Sequence, residues 1–160
     1  MTQKEFRILF DTHFESVRRF IYYRCGDTEL ATDVGQETFL KIWEKQLSPD
    51  SGKEIALLFK ISSNILISRI RKDKSALNYR KSMVVKNEDI TPADQLEYEE
   101  LKEKYENALQ TLSDKQRTVF LLSRVEELSY LEMSQQLGIS VKAVEKRMSL
   151  ALASLRKALL

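Results

Sequence analysis

Residues 130 to 149 read YLEMSQQLGISVKAVEKRMS, and this stretch decides the architecture of the C-terminal third. A helix of about two turns ends at Gly138, where glycine permits a left-handed turn, and Ser140 is placed to N-cap the next helix. Ser134 is small where two helices must cross, and Ile139 and Val144 can plug the space between them. In the second helix Val141, Val144, Met148, Ala151, Leu152 and Leu155 share the inward face. Ser140, Lys142, Ala143, Lys146, Arg147 and Ser149 are left facing out, a basic and polar surface suited to phosphates and base edges. The predicted unit is a helix-turn-helix over residues 112–160. A solvated charged face is the plain alternative for Lys142, Lys146 and Arg147, but turn chemistry, packing pattern and charge agree on DNA.

Outward from that stretch the chain continues helical. Gly at 4 and Pro at 2 are scarce in 160 residues, a hydrophobic share of 42% is enough for a folded core, and a charged share of 31% suits a soluble surface. Thr2 with Glu5, Ser113 with Gln116 and Ser129 with Glu132 each have the spacing of a capping box. Phe6, Leu9, Phe10, Phe14, Val17, Phe20 and Ile21 recur at steps of three and four, predicting an amphipathic helix. Gly26 and Asp27 break it. A second helix follows over about 29–44, with Ala31, Val34, Thr38, Phe39 and Ile42 on one face and Trp43 at its border. A third, over about 55–72, carries one apolar stripe of Ile55, Phe59, Leu66 and Ile70 and another of Leu57, Ile61 and Ile65, as a central helix would.

The expected organisation is all-α: two small helical domains, 1–75 and 96–160, joined by a flexible linker over 76–95. Thr91 and Pro92 fit an N-cap and first helical residue, and Glu97, Glu99, Glu100 and Glu103 suit the positive end of that helix. The net charge of +2 hides a local excess. From Lys60 to Lys86 eight basic residues stand against the single acidic Asp73. Cys25 is the lone cysteine and His13 the lone histidine, so neither a disulfide nor a cysteine or two-histidine metal site can be assembled. A buried thiol is expected at Cys25. No phosphate-binding glycine loop or nucleophile motif is present, so a binding protein without cofactor, metal, catalytic residue or small-molecule substrate is expected, rather than an enzyme. No stretch is apolar enough to span or insert in a membrane, and no signal peptide opens the chain, which points to the cytoplasm.

Three segments, in order, resemble the bacterial sigma factors of the extracytoplasmic-function type. DVGQETFLKIWEK, from Asp33 to Lys45, is similar to that family's signature for binding RNA polymerase core. FKISSNILISRIRK, from Phe59 to Lys72, is similar to its promoter-melting helix. LSDKQRTVFLLSRVEELSYLEMSQQLGISVKAVEKRMSLALASLRK, from Leu112 to Lys157, is similar to its fourth region. The resemblance implies a transcription initiation factor that binds core polymerase, through its largest and second-largest subunits, and directs it to promoter DNA. An anti-sigma factor is the further partner it implies.

The residues fit those roles. Asp33, Gln36, Glu37, Leu40 and Glu44 fall on one mixed face of the second helix, with an apolar leucine amid acidic and amide groups, as a protein-binding surface would have. Lys60, Asn64, Arg71 and Lys72 on the third helix combine cations for phosphates with an amide for a base, suited to a strand being separated from its partner. By resemblance that helix and the loop 46–53 would capture bases of the minus-ten element, while the helix-turn-helix would read the minus-thirty-five element. Gly35, Ser68, Ala143, Glu145 and Leu150 depart from the family's usual residues. A response regulator or repressor with the same DNA module would need a dimer interface or receiver domain, and a decoy that binds polymerase without initiating would not need Lys146 and Arg147.

Overall fold

The computed structural model describes residues 1–72 and 92–160. Among them are seven helices and no strand. The predicted linker up to residue 91, its basic residues beyond Lys72 and the Thr91 cap lie outside the described residues.

Helix α1 (Gln3–Cys25) begins where the sequence says it should. Glu5 N–H donates to Thr2 Oγ1 at 3.2 Å and Thr2 N–H to Glu5 Oε2 at 2.7 Å, closing the capping box. It stops at Gly26, whose φ of 68° is a left-handed cap. Asp27 then caps α2 (Thr28–Glu44), accepting from Leu30 N–H at 3.1 Å. Helix α3 (Glu54–Lys72) completes a three-helix unit. Val17, Ile21, Ala31, Val34, Phe39, Ile42, Leu58 and Leu66 form its core, each large side chain contributing about 1.5–3 kcal/mol by leaving water. Phe6, Phe10, Phe14 and Phe39 pack as an aromatic cluster against Trp43 at one end. Buried Thr38 and Ser62 return their hydroxyls to the backbone at Val34 and Phe59, so no polar group is stranded there. One residue of the expected apolar stripe departs: Ile70, near the end of α3, is 39% exposed.

Helices α4 (Pro92–Thr111), α5 (Asp114–Arg124), α6 (Tyr130–Leu137) and α7 (Val141–Leu159) form the second unit. Pro92 is the first helical residue of α4, a position where its missing N–H is harmless. Ser113 and Ser129 cap α5 and α6; at Ser129 the box is closed by its own N–H, which donates to Glu132 Oε2 at 2.8 Å. Leu109, Leu112, Val119, Leu121, Met133, Val144, Met148 and Leu155 make the core. The two units are not separate bodies. Tyr23 of α1 is 2% exposed because its ring sits in the second core, and Leu137 of α6 touches both. Helix α5 packs on α1, and α6 on α3.

Candidate nucleic-acid and polymerase interfaces

The turn between α6 and α7 is built from its own sequence. Gly138 has φ 66°, Ile139 N–H donates to Ser134 O at 3.2 Å, and Ser134 Oγ donates to Ile139 O at 2.6 Å. Ser134 is therefore a bonded strut as well as a small residue at a crossing. Ser140 Oγ accepts from Ala143 N–H at 3.0 Å, fixing the first turn of α7. Val144, Met148, Ala151 and Leu155 then bury one stripe of that helix. Lys142, Glu145, Lys146, Ser149 and Leu150 are exposed, whereas Ala143 and Arg147 are half-buried. No acidic residue occupies the first turn, so the positive end of the helix dipole remains available to a phosphate.

Arg147 is half-buried because it turns toward the first unit. It lines a cleft of about 740 Å³ between the units together with Lys60 and Asn64 of α3, Lys53 and Ser48 of the preceding loop, and Ile139 of the turn. The structure thus brings the loop 46–53 beside Lys60 and Asn64. It places Arg71 and Lys72 farther along α3, where they share a shallow hollow with Asn64, Ile67 and Ser68. All four expected α3 residues are exposed.

On α2, Asp33, Gln36, Leu40 and Glu44 are exposed, Leu40 to 53%. Glu37 is half-buried, for a reason the sequence did not announce: Arg69 of α3 donates to Glu37 Oε2 through Nη2 at 2.6 Å and Nε at 3.1 Å, and lies 4.0 Å from Asp33. The acidic face is thereby anchored to α3. Among the described residues no group of three or more His, Cys, Asp or Glu side chains could hold a metal, and no helix is long and apolar enough to cross a membrane.

Two family models match the chain: sigma-70 region 2 over residues 9–76 and sigma-70 region 4 over residues 102–155. The chain belongs to the sigma-70 family. Its relatives place it among sigma factors of the extracytoplasmic-function type. It is 29% identical over 169 residues to the ECF RNA polymerase sigma factor SigW of Bacillus subtilis (strain 168), covering 98% of this chain and 90% of that protein. It is 29% identical over 135 residues to SigM of the same strain, covering 82% and 81%. Among solved structures it is similar to the sigma factor RpoE in complex with the anti-sigma factor NepR from Bartonella quintana, with 25% identity, a TM-score of 0.64 and coverage of 98% and 97%. A second neighbour is CnrH in complex with the cytosolic domain of CnrY, with 26% identity, a TM-score of 0.63 and coverage of 99% and 89%. As a sigma factor the protein directs RNA polymerase to specific promoters and is an initiation factor.

Sequence reasoning on this sigma factor missed the residues that join its two units. Arg117 is only 5% exposed; its sole advance signal is a cation amid the buried run Thr118–Leu122 of α5. Arg19 and Tyr23 of α1 meet Glu126 at 2.7 and 2.8 Å, and Arg24 meets Asp114 at 3.0 Å. These partners lie 90 to 107 residues apart in sequence, beyond the reach of any periodicity.

Proposed function

We propose that three surfaces divide the work of this sigma factor in the cytoplasm. The α2 face of Asp33, Gln36, Glu37, Leu40 and Glu44 engages the polymerase core, the exposed leucine supplying apolar contact within an acidic rim. Lys60, Asn64, Arg71 and Lys72, with the loop 46–53, hold the separated strand of the minus-ten element. Lys142, Ala143, Lys146, Arg147 and Ser149, entered through the Ser140 cap, read the minus-thirty-five element in the major groove. The observation that carries this reading is the doubly capped helix-turn-helix with Lys142 and Lys146 exposed on α7. The solved neighbours, one bound to an anti-sigma factor, support a partner of that kind for this chain, covering the same surfaces.

Run-off transcription with core polymerase tests the division. Lys146→Ala and Arg147→Ala should each reduce promoter affinity of the holoenzyme by about 1–3 kcal/mol while core binding is unchanged. Asp33→Ala with Leu40→Ala should abolish core binding with helicity intact. Full transcription from the Lys146 and Arg147 variants would remove α7 from the minus-thirty-five assignment, and unchanged core affinity of the α2 variant would remove the interface assignment.

A further inference from the structure

We propose that Arg117 is an interdomain latch that holds the free chain closed. Its guanidinium crosses from α5 to the C-terminal end of α1: Nε donates to Tyr23 O at 2.8 Å and Nη2 to Arg24 O at 2.7 Å, while Nη1 donates to Leu112 O at 3.1 Å within its own unit. The last carbonyls of a helix lack partners along the helix. Gly26 N–H takes Tyr22 O at 2.7 Å, and Arg117 takes the next two in line. It therefore acts as a C-cap supplied by another unit, a cation at the negative end of the α1 dipole.

The arrangement suits arginine and not lysine. A planar fork satisfies three fixed acceptors at once, which one ammonium cannot do in the same geometry. Around it the contact is closed by the Tyr23 ring in the second core and by the pairs Arg19–Glu126 and Arg24–Asp114. Separating the units strips the α1 carbonyls of this partner, brings Tyr23 into water and frees Arg117 together, so release is cooperative. The consequence for function rests on the proposed roles of the cleft residues; the latch itself rests on the bonds alone. While it holds, Lys60, Asn64 and Arg147 line one cleft. Opening at Arg117 is then the step that parts the two promoter-reading surfaces.

Small-angle scattering from the full chain reads the latch directly. The wild type should show a radius of gyration of about 15 Å, the value for a compact protein of 160 residues, and Arg117→Ala about 20 Å or more with helical content retained. Arg124→Ala is the matched control, on the same helix but packed over the Phe120 ring, and should stay compact. Should Arg117→Ala lose helicity, Arg117→Lys, which keeps the charge and stem, decides the matter by the same expansion. A folded Arg117 variant as compact as the wild type overturns the latch. Binding of a forked promoter DNA, duplex at the minus-thirty-five element and single-stranded at the minus-ten element, separates the two ideas: an expanded variant that binds about tenfold tighter supports both. One that expands without any gain supports the latch and overturns the promoter roles of the cleft residues.

Discussion

Gly35 shows how one residue sets the spacing of two helices. It lies within α2, where glycine is less favourable than alanine by about 1 kcal/mol, yet a Cβ there would lie 3.2 Å from Phe14 Cε2. Phe14 cannot retreat freely, since its ring stacks on Phe10 at 4.7 Å. Propensity and packing therefore oppose each other. Gly35→Ala should fall within about 1 kcal/mol of wild type, the helical gain offsetting a small displacement of the ring. Gly35→Leu, which adds bulk against the Phe14 ring, should lose about 2 kcal/mol by overpacking, measured by urea denaturation. Equal stability of the two variants would show that the α1–α2 spacing is set elsewhere. Cys25 makes the complementary point. It is buried, its Sγ donates to Asp27 O, and desolvation pushes its thiol above the ordinary range, so it is structural and poorly nucleophilic.

At the scale of the element, Ser140 stands at the boundary between folding and recognition. Its sequence position suggests a DNA contact, and its hydroxyl is engaged as the α7 N-cap. Ser140→Ala should cost about 1 kcal/mol in thermal or urea unfolding and Ser140→Gly only a few tenths. A cap role predicts that minus-thirty-five binding by holoenzyme follows that order. Equal loss of DNA binding in both, out of step with stability, would assign the hydroxyl to DNA instead. The α2 and α3 helices show another limit of reading elements singly. The periodicity of α2 groups Asp33, Gln36, Glu37, Leu40 and Glu44 on one face. That Arg69 clamps two of those carboxylates depends on where α3 lies, which no pattern within α2 contains.

For the whole molecule the decisive feature is the placement of the two proposed reading surfaces. Elements centred near minus ten and minus thirty-five are separated by about 25 base pairs, roughly 85 Å at 3.4 Å per pair, whereas Lys60 and Arg147 line a single cleft. With the proposed roles of these residues, the closed chain cannot contact both elements of one duplex. Its net charge of +2 also gives little general attraction to phosphate. The isolated protein should therefore bind a full promoter duplex little better than unrelated DNA at physiological salt, and discriminate strongly once core polymerase is added, as fluorescence anisotropy would show. Tight, sequence-specific binding by the isolated chain would contradict this account.

The amino-acid sequence by itself determined the helices, their caps and their inward faces. Thr2 with Glu5, Ser129 with Glu132, Gly138 and the 3.6-residue stripes act within a few residues of one another, so local chemistry suffices to specify them. It also determined the family, because three segments stand in a fixed order. Only the tertiary structure decided that Arg117 caps a helix in the other unit, that Arg69 ties down Glu37 and that Arg147 faces Lys60 across a cleft. Each depends on distant parts of the chain meeting in one geometry, and a charged side chain carries no local mark of the partner it will find.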